Sequence, residues 1–220
     1  LQKKDLPFNS ISSTAWTHTI MSKIRNEAEA ASRQLAVEYG EPLWCKGTGM
    51  RNTHVLAIAP TVSNSRIAGC SAGIEPQPAN VYTFNGAKGT FIVRNPELEK
   101  LLIEKGKNNN KVWDQILADD GSVMNIPSDI LSEEDKDVFL TFAEINQLEL
   151  VRQAATRQKY IDQTQSLNLC FPPTDSPKWI NQVHMEAWKL GIKTLYYLRT
   201  DSVIKGDLGS RTSECISCDG

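Results

Sequence analysis

Two cysteines stand close together near the end of the chain, at Cys215 and Cys218. Thiols at this spacing can form a reversible disulfide, so the pair could act as a dithiol reductant. Half of a zinc site is the alternative, but zinc needs two further ligands and no second Cys/His pair lies nearby in the sequence. Exposed thiols are prone to oxidation, and two of them in a polar terminal segment therefore favour a redox role.

Two adjacent tyrosines, Tyr196 and Tyr197, form the second candidate. Neighbouring residues on a regular strand point to opposite faces, so packing is the ordinary explanation for such a pair. The alternative is redox chemistry, because a tyrosine can lose an electron and a proton together and a contiguous pair could relay a radical. That role requires the two rings to be in contact and shielded from water.

A run of small, mostly polar residues is the third candidate, and it follows a predicted buried strand: Pro60, Thr61, Val62, Ser63, Asn64 and Ser65. Folds of the α/β class bind ligands at strand ends, where free backbone N–H groups and hydroxyls can hold phosphate. An ordinary Ser/Asn-rich turn is the alternative. The run lacks the lysine and glycines of a P-loop, so hydrolysis of nucleoside triphosphates is not indicated.

The remaining candidates are isolated in the sequence: His18, His54, His184, Cys45, Cys70, Cys170 and Glu75. No Ser/His/Asp or Cys/His arrangement can be assembled from their spacing, so we expect the histidines to be structural. The three cysteines are expected to be small buried or half-buried residues. Glu75 could be a functional carboxylate or an anchor for a helix or turn, and we favour the anchor.

The elements that must position these residues alternate between helices and strands. Strands are predicted at 54–59, 88–93 and 192–198, and residues 61–80 are predicted as loop. Helices are predicted at 13–39, from Asn95 to Gly106, from Asn109 or Asn110 through Leu117, from Ser132, at 146–166, and from Ser176 to Gly191. This alternation predicts an α/β architecture with parallel strands, and leaves open whether they form a barrel or an open sheet.

Composition sets the outer limits. The chain has 220 residues, 40% hydrophobic and 23% charged, which suits one domain or a piece of a larger one. A net charge of −2 does not suggest nucleic acid or a membrane surface as partner, and no apolar run approaches the ~20 residues of a membrane span. Five cysteines and the absence of a signal-peptide pattern at the N-terminus favour a cytoplasmic location.

Taken together, these segments resemble the large, catalytic subunit of class I ribonucleotide reductase, in the same order and at similar spacings. The matching stretches are Arg51-Asn52, Ala59-Pro60-Thr61, Gly73-Ile74-Glu75-Pro76, Tyr160-Ile161-Asp162-Gln163, Lys193-Thr194-Leu195-Tyr196-Tyr197, and the terminal Cys215 and Cys218. Gly-Ile-Glu-Pro or Tyr-Tyr alone would be a weak signal, whereas the ordered combination over almost the whole chain is highly specific.

The resemblance implies a fold and three roles. The fold would be the second half of a ten-stranded α/β barrel with added helices, at 1–200, and a flexible redox tail at 201–220. Residues 60–65 would hold substrate phosphates, chiefly through backbone donors, because Val62 and Asn64 depart from one common version of the loop. The two tyrosines would pass a radical from the small subunit inward, with Tyr196 nearer the active-site cysteine. The terminal dithiol would re-reduce the active-site disulfide and be reduced in turn by thioredoxin or glutaredoxin.

The resemblance also implies what this chain lacks. The thiyl-radical cysteine, the acid/base residues, the active-site redox cysteines and the ATP/dNTP regulatory sites belong to the family's N-terminal portion. Catalysis on a ribonucleoside diphosphate would therefore need that portion, together with a small subunit that carries the radical-generating metal cofactor, and we expect no cofactor bound by this chain. A non-catalytic assembly remnant and a cobalamin-dependent reductase of the same superfamily are the alternatives, and Leu1 at the start hints at a fragment.

Overall fold

The computed structural model describes residues 1–86 and 89–200, which form a mixed α/β structure. The helices are α1 Ile11–Tyr39, α2 Val62–Ala68, α3 Pro96–Glu104, α4 Asn110–Ala118, α5 Glu133–Val138, α6 Gln147–Gln158 and α7 Pro177–Lys189. The strands are β1 Val81–Gly86, β2 Gly89–Arg94, β3 Leu169–Cys170 and β4 Leu198–Arg199. Within these ranges, no helix has the length and apolar character needed to cross a membrane.

The helices begin at the capping residues that the sequence predicts. The Asn95 side chain accepts a hydrogen bond from the Glu97 N–H at the start of α3, where Pro96 occupies the first helical position. At α5, Ser132 and Asp135 form a complete capping box. After α7, Gly191 has a φ of 78°, a left-handed conformation that favours glycine and ends the helix. The boundaries predicted from these signals are confirmed.

The strands differ most from the sequence-based predictions. Segment 54–59 contributes only one parallel bridge, between Ile58 and Gln165, and no continuous strand. Strand β1 was not predicted, and it pairs with β2 as an antiparallel hairpin, so the expectation of parallel strands is wrong there. The parallel arrangement holds for β3 and β4, in which Leu169 pairs with Leu198, but each strand has only two residues.

Two helix predictions also need correction. Residues 62–68 form α2 inside the segment predicted as loop. Helix α6 ends at Gln158 rather than continuing to 166, because the chain after it turns to make other contacts. The Gln158 side chain donates to the carbonyls of Ile161 and Gln163, which caps the turn and directs the following residues toward Ile58.

The core has two parts that are each local in sequence. The first surrounds Trp113 and Phe139 and joins β1, α3, α4 and α5. The second surrounds Leu150, Phe171 and Val183 and joins α6, β3 and α7. Burying large apolar side chains in both places supplies most of the stabilisation, since each contributes about 1.5–3 kcal/mol. Leu169 of β3 belongs to the second core, which therefore holds this strand in place.

Helix α1 packs through its small and polar residues and exposes its apolar ones. The buried positions are Ser13, Thr17, Ser32 and Ala36. The apolar stripe that predicts this helix contains Trp16, Ile20 and Ile24, each more than 40% exposed. This apolar stripe is therefore not the face of α1 that packs on the described part of the chain. The face that packs carries small residues, which allow α1 to approach α6 closely.

Asp162 joins α1 to the segment that precedes α2. Its carboxylate accepts hydrogen bonds from the N–H groups of Val55 and Leu56, at 2.9 and 3.1 Å, and pairs with the Arg25 guanidinium at 2.8 Å. Burial raises the pKa of Asp162, but these hydrogen bonds and the Arg25 charge outweigh burial and hold the pKa below its ordinary value of 3.8. The ionised form is therefore favoured by folding.

We expect acid to weaken this joint. Because the pKa of Asp162 is depressed in the folded state, its contribution is present above the unfolded pKa and is lost as the pH falls from about 5 through the folded pKa. Asp162→Asn should lower the free energy of unfolding at pH 7 by roughly 2 kcal/mol and should reduce the loss of stability on acidification. Urea denaturation between pH 7 and pH 3 measures both effects.

The matched control for this experiment is Glu149→Gln, which removes an exposed ion pair with Arg152. Exposed pairs of this kind contribute little, so this variant should denature almost as the unsubstituted chain does at every pH. An Asp162→Asn variant with unchanged stability at pH 7 and an unchanged acid response would contradict the assignment.

Candidate functional site

One large open cleft brings together six of the described candidate residues: Pro60, Ser65, Cys70, Glu75, Tyr196 and Tyr197. It has a volume of about 1410 Å³ and lies between the segment before α2, the loop from Gly69 to Ala79, β1 and the β3–β4 pair. Pro60 and Ser65 from the third candidate line it, as do Tyr196 and Tyr197 from the second. Segments far apart in the sequence thus meet at one cavity.

The two tyrosine rings are in direct contact. Their centroids are 4.1 Å apart and the ring planes are tilted by 47°. The Arg199 guanidinium lies over the Tyr197 ring, 4.7 Å from its centroid. Tyr196 is 47% exposed in the cleft, so the described residues supply the ring contact that a radical relay would need but not the shielding from water.

The third candidate forms the N-terminal end of α2. Thr61 is the residue before the helix, and its hydroxyl donates to the Ala72 carbonyl at 3.2 Å, which ties the start of α2 to the loop that follows it. The backbone N–H of Ser65 donates to the Thr61 carbonyl, and the Ser65 side chain is buried. The first N–H groups of a helix have no carbonyl partner within it, so this end of α2 presents backbone donors.

Glu75 anchors the floor of the cleft, as the sequence favoured. Its side chain is buried, and it accepts the backbone N–H of Asn168 at 2.5 Å. A Cβ added at Gly73 would lie 2.2 Å from Glu75 Oε2, so glycine at this position leaves room for the carboxylate. Glu75 therefore connects the loop after α2 to the chain just before β3.

Arg157 is a buried cation that interacts electrostatically with Glu75. Burial lowers the pKa of the Arg157 guanidinium to about 10, and the negative charge of Glu75 opposes that shift. The Arg157 Nε–H donates to the Gln165 side chain at 3.2 Å, and that amide donates in turn to the Ala154 carbonyl. The sequence analysis missed Arg157, although an arginine on the apolar side of a predicted helix is a usable signal.

The other candidates do not converge on a metal or nucleophile site. His18 lies in α1 against the Tyr160 hydroxyl, and His184 lies in α7 with Nδ1 2.8 Å from the Ile180 carbonyl. Cys45 is buried and Cys170 half-buried, as expected, whereas Cys70 is exposed in the cleft, so that expectation is wrong. No cluster of three metal-ligating side chains occurs within 1–86 and 89–200. Cys215 and Cys218 lie outside the described residues.

Comparison with known proteins places the chain in a family. The sequence model of the family described as "Ribonucleotide reductase, barrel domain" matches residues 44–198. The chain is 38% identical to the ribonucleoside-diphosphate reductase large subunit of Invertebrate iridescent virus 6 over 94% of its own length and 22% of that protein's. It is 37% identical to the putative large subunit of Frog virus 3 over its full length and 40% of that protein's.

A solved structure agrees with this assignment. The alpha subunit of the Actinobacillus ureae class Id ribonucleotide reductase superposes with a TM-score of 0.83 at 39% identity, over 92% of this chain and 37% of that one. The chain thus spans between about a fifth and two fifths of the length of these relatives. The segment matched by the family model, 44–198, includes most of the residues that line the cleft, the tyrosine pair and the loop at 60–65. The chain belongs to the ribonucleotide reductase family and corresponds to part of the barrel domain of a large subunit.

Proposed function

We propose that the chain is the C-terminal portion of a ribonucleoside-diphosphate reductase large subunit and acts with an N-terminal portion to make deoxyribonucleotides. The observation that carries this proposal is the common cleft, which Pro60, Ser65, Tyr196 and Tyr197 all line. A site that combines phosphate binding with radical transfer needs these groups around one substrate. The parallel pairing of Ile58 with Gln165 and of β3 with β4 supports a place for them in the second half of a ten-stranded barrel.

The tyrosine pair would act as the radical relay. A radical arriving at Tyr197 from the small subunit would take a hydrogen atom from the Tyr196 hydroxyl, which leaves Tyr197 reduced and Tyr196 oxidised. Tyr196 would then take a hydrogen atom from the thiol of a cysteine in the N-terminal portion and leave a thiyl radical there. Ring contact at 4.1 Å supports the first step, because electron and proton transfer both require close approach.

Residues 60–65 would hold the phosphates of the ribonucleoside diphosphate. The start of α2 supports this role, because backbone N–H groups at the first turn of a helix donate to anions. The hydroxyl of Thr61 is engaged with Ala72, so the backbone would contribute more than this side chain. Val62 and Asn64 are then compatible with binding, since a change of side chain leaves the amide donors in place.

The terminal cysteines would supply reducing equivalents. Each turnover replaces the ribose 2′-hydroxyl with hydrogen, releases water and converts two active-site thiols of the N-terminal portion to a disulfide. The Cys215/Cys218 dithiol would reduce that disulfide by thiol–disulfide exchange and become a disulfide itself. Thioredoxin or glutaredoxin would then restore it. ATP/dNTP regulation would belong to the N-terminal portion, the metal cofactor to the small subunit, and the whole assembly to the cytoplasm.

Reconstitution tests the proposal as a whole. The chain is co-expressed with the N-terminal portion of a related large subunit and assayed with a small subunit, thioredoxin and a ribonucleoside diphosphate. We expect deoxyribonucleotide formation that depends on this chain and on the small subunit. A folded complex without activity would indicate an assembly remnant. Activity that needs cobalamin instead of the small subunit would indicate the other reductase class.

A further inference from the structure

The backbone pairing next to the tyrosine pair contains a one-residue offset. Leu169 pairs with Leu198 in this ladder. The Leu169 N–H donates to the Tyr197 carbonyl at 2.8 Å, and the Phe171 N–H donates to the Arg199 carbonyl at 2.9 Å. A regular parallel ladder continued toward the N-terminus would pair the Tyr197 N–H with the Leu167 carbonyl. Instead, the Tyr196 N–H makes that bond, at 2.8 Å.

The offset is a β-bulge, in which one strand carries an extra residue relative to its partner. On a regular strand Tyr196 and Tyr197 would point to opposite faces. At the bulge both side chains line the same cleft, with ring centroids 4.1 Å apart. Bulges next to functional sites re-aim side chains in this way, and here the bulge explains why sequence neighbours are in ring contact.

Asn168 accepts the Tyr197 N–H, which would donate to the Leu167 carbonyl in a regular ladder. Its side-chain carbonyl accepts the displaced Tyr197 N–H at 3.3 Å. Its own backbone N–H is held by the Glu75 carboxylate at 2.5 Å, which fixes this residue on the floor of the cleft. The two ends of Asn168 thus connect a buried carboxylate to the backbone of the tyrosine pair.

We propose that Asn168 is a positioning residue for the tyrosine pair: its side-chain carbonyl stabilises the bulge that holds the Tyr196 and Tyr197 rings in contact. This inference rests on the proposed relay. Asn168 exchanges no electron or proton in it. Without an acceptor at this position, the regular ladder competes with the bulge, because the Tyr197 N–H can then be satisfied only by the Leu167 carbonyl or by water. The regular ladder would turn one ring away from the other.

Two substitutions in the reconstituted reductase test the inference. Asn168→Leu keeps a similar volume and removes the acceptor, whereas Asn168→Asp keeps an oxygen at the same reach. We expect Asn168→Leu to lower kcat by about a hundredfold, the effect of a misplacement on the order of 1 Å, with the KM for the nucleoside diphosphate unchanged. Asn168→Asp should retain most of kcat. Replacing Tyr196 with 3-aminotyrosine in each background should give a trapped radical by electron paramagnetic resonance that is lost with Asn168→Leu and kept with Asn168→Asp.

Three results would overturn the inference. An Asn168→Leu variant with unchanged kcat and radical yield would show that the bond does not position the rings. Equal losses in the leucine and aspartate variants would exclude the acceptor as the cause. A leucine variant without a thermal melting transition would show that Asn168 serves folding instead. Tyr196→Phe in the same assay separates this inference from the relay: if that variant remains active, the relay itself is wrong, whatever Asn168 does.

Discussion

Replacing Tyr196 with phenylalanine is expected to reduce turnover of the reconstituted reductase to background. Phenylalanine keeps the ring and its packing against Tyr197 but has no hydroxyl from which a hydrogen atom can be taken. Nucleotide binding should be unchanged, because the loop at 60–65 is not altered. Measuring deoxyribonucleotide formation and substrate binding on the same preparation separates the two effects.

Tyr82→Phe is the matched control. Tyr82 lies on β1 and lines the same cleft, so this variant also removes one phenol hydroxyl from the cavity. It should retain activity, because no relay role falls on it. If the Tyr196→Phe enzyme turned over at the control's rate, a radical would reach the active site without this residue, and the relay would have to be abandoned.

The second large effect is expected from Cys215→Ser combined with Cys218→Ser. The double variant should lose multiple turnover driven by thioredoxin and keep a single round of reduction, because the active-site thiols start out reduced. Rapid-quench measurement of product per enzyme gives the size of that first round. Dithiothreitol, a small dithiol that can reach the active-site disulfide directly, should restore continued turnover.

Ser213→Ala combined with Ser217→Ala makes the same number of substitutions in the same segment and leaves the thiols intact. This control should support full thioredoxin-driven turnover. Continued thioredoxin-driven activity in the cysteine variant would mean that another thiol pair carries the electrons. It would contradict the proposed role of Cys215 and Cys218.

The helices could be predicted because their signals are local. Asn95 followed by Pro96, and Ser132 three residues before Asp135, each specify a helix start within a few residues. The face of α1 could not be predicted in the same way. An apolar stripe predicts that one face of a helix is buried, but it does not identify the segment that packs against that face. In the described residues, α1 buries small residues instead of this stripe.

The strands were harder to predict because their partners are distant in sequence. Ile58 pairs with Gln165 and Leu169 with Leu198, so each strand depends on a segment that a local pattern does not contain. The hairpin β1–β2 was missed for a different reason. β1 begins at the buried Val81 and continues through the half-buried positions 82–84, and its sequence, Val-Tyr-Thr-Phe-Asn-Gly, has no clear alternation of apolar and polar residues.

The candidate residues could be identified from their chemistry, but the residues that hold them in place could not. A tyrosine pair and a run of small polar residues are visible in a sequence, whereas their convergence on one cleft requires the fold. Asn168 and Arg157 act through backbone groups and buried charge. The sequence does not distinguish Asn168 from other asparagines in loops, because its side chain binds a backbone N–H and nearly every residue has one.

The contacts of α1 also set the order in which a growing chain can fold. Arg25 of α1 and its partner Asp162, which follows α6, are 137 positions apart in the sequence. At ribosomal rates of roughly 5–20 residues per second, several seconds pass between the synthesis of these two residues. The core around Trp113 draws only on residues 81–139 and can form within that interval. Within the described residues, the core around Trp113 can therefore fold during synthesis before α1 pairs with Asp162.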